Sequence, residues 1–368
     1  MKNKELMILV CIFLFASLNC NNTTFHPQQL SGEQLEKIRI NNGLPGLAVA
    51  LFSSDSVYQV IYSGNKKLGT TDLLNASSRF HLGSNTKAFI GFAAASLVED
   101  GLITYDTKFF DVCPEYKELA DGSYHGITLE KLLHHEAGLT SKDEEFFEIM
   151  LPHMEDDTII DRYRLFQWAF SKDRFKDGYQ YSNTGYVMAA CMLEKKSGKG
   201  WFSILQERIL EPLQITASVG WPNQEDSSQT WGHYTDPESG SLHTHPPEDP
   251  YKLRRYGFGP AGDLNMKVDE YLIFLQDNLA GYRKTGGILP EEAYQQMHPK
   301  GKYGLGWGYV ESINGKKNIS MHSGSAGTFY CQAILFRNDD LGIAFFTNCY
   351  PQNTQEIAHQ IVDQILIR

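Results

Sequence analysis

The chain alternates between two kinds of apolar pattern, and the places where one gives way to the other divide it into parts. Near the start, Leu35, Ile38 and Ile40 recur within Gly32–Asn41, which reads as a short amphipathic helix. Two β-like runs follow, Gly46–Phe52 and Val57–Tyr62, separated by the turn residues Ser53-Ser54-Asp55-Ser56, and this spacing predicts a hairpin. After a further short run, Ser78–Leu82, the pattern turns helical and stays so from Ser84 to about Leu213. Ala88, Phe92 and Ala95 follow one another at helical spacing, and Thr128 opens a helix carrying Leu129, Leu132 and Leu133 that is expected to stop at Gly138. Between Trp221 and Pro260 the chain is rich in Pro, Gly, Ser and His and reads as a long surface loop. A helix returns around Val268–Leu279. Strand patterns then reappear at Trp307–Glu311, Asn318–His322, Tyr330–Phe336 and Leu341–Asn348, and an amphipathic helix over about Thr354–Leu366 closes the chain. Strands at both ends with helices between them predict one sheet built from both chain ends around a helical insertion. That is an α+β arrangement, with the cleft between the sheet part (about 32–80 and 265–368) and the helical part (about 81–264).

The first twenty residues stand apart. Lys2 and Lys4 precede an apolar run from Leu6 to Leu18, too short at about thirteen residues to span a bilayer core but suited to a signal-peptide core. Residues 1–20 are therefore expected to be a signal peptide and 21–31 a short linker, with the mature protein exported to the periplasm or cell envelope. Cys20 sits where a lipoprotein signal places its lipidated cysteine, although Asn19 before it is a poor match, and a lipid there would attach the chain to a membrane. The alternatives are a plain cleavage site near Ala16 or an uncleaved anchor. The full length of 368 residues admits one large domain or two modest ones. A net charge of -11 without any basic stripe argues against a nucleic-acid partner. Beyond Cys11 and Cys20, the cysteines Cys113, Cys191, Cys331 and Cys349 are widely spaced with no C-x-x-C. They signal neither a zinc site nor a dense disulfide framework, and spacing alone cannot pair them.

Three short stretches carry candidate chemistry. In Gly83-Ser84-Asn85-Thr86-Lys87, a helix opening at Ser84 puts Lys87 on the same face at i+3, within reach of the hydroxyl. A serine hydroxyl is a weak nucleophile until a neighbour takes its proton, and a lysine can do so once burial or charge lowers its pKa. Taken alone, Ser84 reads more simply as an N-cap. In Tyr181-Ser182-Asn183, a phenol beside an ammonium can relay a proton, and an Asn amide can hold a substrate carbonyl while orienting the lysine. Alone, that stretch is a turn feeding the apolar helix Val187–Leu193. In His322-Ser323-Gly324-Ser325, Gly324 lets a substrate lie along a strand edge, and the amides of Ser325 and Ser84 can form an oxyanion hole. Alone, it is a strand running into a turn.

Together and in this order, S-x-x-K, Y-x-N and H-x-G resemble the active-site signature of the serine β-lactamase and penicillin-binding protein superfamily. The likeness is to its class C-like branch, which holds class C β-lactamases, D,D-peptidases, D-aminopeptidases and esterases. Supporting stretches are Phe80-His81-Leu82-Gly83-Ser84, Ile127 through Leu139, and Gly259-Pro260-Ala261-Gly262-Asp263-Leu264, and the similarity covers roughly Gly32 to Arg368. The resemblance implies a β-lactamase/transpeptidase-like α+β fold whose antiparallel sheet is flanked by helices. It also implies that Ser84 is the acylated nucleophile, with Lys87 and Tyr181 as proton-transfer partners and Asn183, His322, Ser323 and Gly324 binding the substrate. Small-molecule or peptide acyl substrates follow, with no metal and no cofactor. One departure matters. Class C β-lactamases carry Lys-Thr-Gly where this chain has His322-Ser323-Gly324, and a mostly neutral His replaces a permanent charge for the β-lactam carboxylate. Peptidase or esterase action is therefore expected ahead of β-lactamase action, with slow reaction of Ser84 with penicillin. A non-catalytic binding protein on the same fold is the alternative from another class.

Several decoys fall away. His134-His135-Glu136 lacks the H-E-x-x-H spacing of a zinc site, because Leu139 holds the last position, and reads as a helix end. His233, His243 and His245 fall in the polar loop and read as solvent-facing or cleft-rim residues. Ser323-Gly324-Ser325-Ala326-Gly327 does not meet G-x-S-x-G. Tyr303 through Gly308 is glycine-rich but has no helix after it to hold a phosphate, and reads as a flexible lead-in to a strand.

Overall fold

Helix α1 (Gly32–Asn41) leads into the hairpin β1 (Gly46–Phe52) and β2 (Val57–Gly64). The short β3 (Arg79–His81) ends at the turn that opens α2 (Thr86–Glu99). The helical part continues with α3 (Phe109–Val112), α4 (Leu129–Leu133), α5 (Thr158–Phe170) and α6 (Asn183–Ser197). After it come β4 (Ser218–Val219), the small hairpin β5 (His233–Thr235) and β6 (Leu242–Thr244), α7 (Arg254–Gly262), β7 (Leu264–Lys267) and α8 (Val268–Arg283). The chain returns as β8 (Gly308–Ile313), β9 (Lys316–Ser325), β10 (Tyr330–Phe336) and β11 (Leu341–Thr347), and ends with α9 (Thr354–Leu366). This computed structural model describes residues 27–366, apart from 141, 143–144, 147–157, 175–177, 237, 249–253 and 326. The expected signal segment and Cys20 lie outside the described residues.

The main sheet has the order β2-β1-β11-β10-β9-β8, every pair antiparallel, so its strands do come from both chain ends. Strand β1 is buried at all seven positions, as are β10 and β11, which explains why these runs are continuously apolar rather than alternating. Their two faces differ. Leu47, Val49 and Leu51 pack with Leu35, Ile38, Ile357 and Ile361 of α1 and α9, whereas Ala48, Ala50 and Phe52 join the larger core around α2 and α8. Helix α2 is buried from Thr86 through Leu97, and so is apolar all round rather than amphipathic.

Four local expectations are corrected. Ile40 of α1 is exposed. Helix α4 stops at His134, short of Gly138, because His135 adopts a left-handed φ of 60° that no α-helix continues through. The segment from Trp221 to Pro260 holds the β5–β6 hairpin and most of α7. There, His233 is buried, and its ring accepts from the Leu68 N–H at 2.9 Å and donates to the Asn348 carbonyl at 2.7 Å. The glycine-rich lead-in to β8 is packed: Leu305 and Trp307 are buried, and a Cβ on Gly306 would stand 2.4 Å from Ala88 Cα of α2. The described end of the expected linker is also tied down. The Gln59 side chain accepts from the Leu30 N–H and donates to the Leu30 carbonyl, and Ser31 and Gln34 form a capping box for α1.

Candidate active site

The turn between β3 and α2 is held from all sides before Ser84 is reached. His81 Nδ1 accepts from the Gly83 N–H at 3.1 Å, so Nε2 carries the hydrogen and donates to Asp263 Oδ1 at 3.0 Å. The Asn85 amide donates to the carbonyls of Leu82 and Cys331, and its oxygen accepts from the Tyr271 hydroxyl. Thr86 Oγ1 donates to the Gly83 carbonyl at 2.8 Å and accepts from the Leu264 N–H at 3.1 Å. These bonds fix a 3₁₀ turn over Gly83–Asn85, with Gly83 at a φ of 52°. Ser84 sits in the middle of that turn and not at the α2 cap position, which is Asn85. The capping reading of Ser84 therefore gives way to its half-buried hydroxyl facing Lys87.

Lys87 is fully buried, and its Nζ lies 2.9 Å from Ser84 Oγ, 2.7 Å from Asn183 Oδ1 and 2.5 Å from the Ala261 carbonyl. Asn183 Oδ1 and the Ala261 carbonyl can only accept, so each takes a hydrogen of Nζ. The remaining tetrahedral position is aimed at Ser84 Oγ: it holds a third hydrogen in the ammonium and a lone pair in the amine. Ala261 lies in the last turn of α7, where carbonyls lack intrahelical partners and the helix end favours a cation.

Tyr181 and Asn183 flank the start of α6, whose N-cap Ser182 accepts from the Gly185 N–H. The Tyr181 ring centroid is 5.0 Å from Lys87 Nζ. His135 holds this stretch in place. Its carbonyl accepts from the Gln180 N–H at 2.7 Å, and its Nδ1 accepts from the Ser182 N–H at 3.1 Å. Its ring lies 4.3 Å from that of Tyr181 and also meets Tyr179, Tyr186 and Tyr303. The ring is thus neutral, and burial and the nearby Lys87 charge push its pKa well down.

The opposite wall is β9. His322 Nδ1 donates to the Ser323 carbonyl at 2.8 Å, which leaves Nε2 to accept from the Tyr303 hydroxyl at 2.9 Å. Burial and then the Lys87 charge pull the His322 pKa down to about 3. Gly324 meets the nucleophile turn directly: a Cβ there would stand 2.1 Å from the Leu82 carbonyl and 2.5 Å from the Ser84 nitrogen. Ser323, between them, is exposed, and the Ser325 nitrogen lies 2.3 Å from where a Gly83 Cβ would be. The backbones carrying the Ser84 and Ser325 amides are therefore packed directly against each other.

The structure thus brings Ser84, Lys87, Tyr181, Asn183, His322, Gly324 and Ser325 to one cleft. Sequence reading missed His135, Tyr303 and the Ala261 carbonyl. The first two stood in stretches dismissed as a helix end and a flexible lead-in, and a backbone carbonyl leaves no trace in residue identity. Among the described residues no group of three or more His, Cys, Asp or Glu side chains could hold a metal ion.

The neutral imidazoles predict acid sensitivity. Burial lowers the pKa values of His135, His233, His298 and His322 in the folded chain, to about 4 for His233 and about 3 for His322. A folded pKa below the unfolded value of about 6.5 leaves stability intact above that pH, and loses it as pH falls toward the folded value. At pH 5 the unfolded chain gains about 2 kcal/mol from protonating a site such as His322. Asp277, raised to about 6 by burial, works in the opposite sense and returns about 1 kcal/mol. The urea midpoint is expected to fall clearly between pH 7.5 and pH 5. An unchanged midpoint would mean that these rings take up protons inside the fold.

Comparison with known proteins gives the family and the fold. A family model described as Beta-lactamase matches residues 32–365. Penicillin-binding protein 4 of Amycolatopsis lactamdurans is 24% identical over 350 residues, 89% of this chain and 89% of that protein. An octameric penicillin-binding protein homologue from Pyrococcus abyssi superposes with a TM-score of 0.73 at 22% identity, over 90% of this chain and 75% of that one. A D-stereospecific amidohydrolase from Streptomyces sp. gives 0.69 at 21%, over 89% and 96%. At such identities the solved structures speak for the fold alone.

Proposed function

Because the chain belongs to the beta-lactamase family and is in general terms a serine hydrolase, we propose that it cleaves amide or ester bonds through an acyl-enzyme on Ser84, acting on D-amino-acid peptides or small esters. The observation that carries this reading is the 2.9 Å contact between Lys87 Nζ and Ser84 Oγ at a fully buried lysine. As Ser84 Oγ bonds to the acyl carbon, its proton passes to the Lys87–Tyr181 pair, and from there to the departing amine or alcohol. The amides of Ser84 and Ser325 meet the oxygen of the tetrahedral intermediate. Asn183 steadies Lys87 and reaches the substrate amide. Water then attacks the acyl carbon and frees Ser84.

His322 favours peptide or ester over β-lactam. Held neutral by burial and by Lys87, with its one N–H given to the Ser323 carbonyl and its other nitrogen accepting from Tyr303, it offers a substrate carboxylate neither a charge nor a free donor. Labelling tests the proposal. A fluorophosphonate is expected to add once, on the peptide containing Ser84, and penicillin is expected to add at the same residue slowly. Fast release of the penicillin adduct would favour a β-lactamase, and no adduct with either probe would favour a non-catalytic binding protein. The apolar run Leu6–Leu18 further supports export, with Cys20 as the lipidated residue. Mass spectrometry of the mature N-terminus should find Cys20 first and acylated, and an intact Met1 would count against export.

A further inference from the structure

Away from the cleft, Cys113 and Cys191 bring their Sγ atoms to 3.6 Å. Cys113 directly follows α3, Cys191 lies in the middle of α6, and both are buried. The other two described cysteines have no such neighbour in each other: Cys331 belongs to the core on one face of the sheet and Cys349 to the core on the other. We propose that Cys113 and Cys191 form an intramolecular crosslinking site, closed by thiol–disulfide exchange with a small disulfide donor that reaches Cys191 through the cavity beside it. That cavity has a volume of about 680 Å³ and is lined by Tyr116, Arg162, Tyr163, Glu194 and Cys191 among others. A disulfide needs about 2.05 Å between sulfurs, so the pair closes by an approach of about 1.5 Å.

The surroundings set the order of attack. Cys191 lines the cavity, whereas Cys113 is wholly enclosed. The hydrogen bond from Cys113 and the Arg162 guanidinium draw the Cys191 thiol below its ordinary value, while the same bond and burial push Cys113 up. Cys191 therefore loses its proton first and attacks one sulfur of the donor, RSSR. A mixed disulfide forms, and one thiolate leaves and takes up that proton. Cys113 then gives up its proton and attacks the Cys191 sulfur, and the second thiolate leaves as a thiol. In sum, two protein thiols and one RSSR give one protein disulfide and two RSH. The crosslink ties α3 to α6, the helix whose first residue, Asn183, holds Lys87.

The test uses the full chain and oxidised glutathione at pH 8, followed by alkylation under denaturing conditions and peptide mapping. Loss of two hydrogen masses is expected, with the Cys113 and Cys191 peptides linked and Cys331 and Cys349 alkylated. The oxidised protein should melt roughly 5 °C or more above the reduced one, since the bond closes a long loop. In Cys113→Ala, Cys191 should instead retain one glutathionyl group. Alkylation of both cysteines in the wild type, linkage of either to another cysteine, or a glutathionyl group persisting on wild-type Cys191 would each overturn the proposal.

Discussion

Ser84→Ala is expected to hydrolyse a p-nitrophenyl acyl ester on the order of 10⁴–10⁶-fold more slowly than the wild type, and to take no fluorophosphonate label. The size of the effect follows from the site's construction. Removing Oγ takes away the only atom that the Lys87, Asn183 and Ala261 cluster presents to a substrate for bond formation. What remains is the pair of amides at Ser84 and Ser325, which can polarise a carbonyl but cannot form the acyl bond. The variant should fold normally, because Ser84 is half-buried and the turn around it rests on Gly83, Asn85 and Thr86. Its melting temperature is therefore the control. A variant that melts like the wild type and retains full turnover would remove Ser84 from the chemistry.

Lys87→Met is expected to lower kcat/KM about 10²–10⁴-fold, the range associated with losing a positioned proton-transfer group. Methionine keeps the length and apolar stem of the lysine, so the buried site stays filled. It supplies no hydrogen to Asn183 Oδ1 or the Ala261 carbonyl, and desolvated acceptors that lose a donor cost about 1–3 kcal/mol each. A measurable fall in stability should therefore accompany the loss of rate. Two readouts separate Lys87 from a merely structural residue. The rate of fluorophosphonate labelling should fall with the turnover rate, and the basic limb of the wild-type pH profile should change shape in the variant. Wild-type labelling kinetics in a folded Lys87→Met protein would move the proton transfer elsewhere, with Tyr181 the first place to look.

The parts of this arrangement that could be read from the sequence are those in which one segment suffices. The hairpin of β1 and β2 and the helix α9 announce themselves by local period and turn residues, and both lie almost where the spacing puts them. Ser84 and Lys87 share one helical turn, so a single motif places them. The residues that escaped are those whose role arises from packing. His135 acts through a left-handed backbone turn that presents both its carbonyl and its ring to the Gln180–Ser182 stretch. Tyr303 reaches His322 only because the glycine-rich lead-in to β8 is pressed onto α2. The polar stretch around His233 looked like loop because its residues are hydrophilic, yet His233 itself is buried and makes both of its ring hydrogen bonds inside the protein.

The sheet order imposes a timetable on biosynthesis. Strand β1 is made early and finds β2 at once, but its other edge is matched by β11, with Leu47 opposite Thr347. Until almost the whole chain has been made, a continuously apolar strand stands with an unpaired edge, inviting association with other nascent chains. Closing contacts so distant along the chain is slow compared with helix formation, so the helices between should be largely formed before the sheet is complete. A chaperone that shields the β1–β2 hairpin would therefore raise the yield of refolding more than one acting on the central helices, and truncations that remove β11 should accumulate as aggregates.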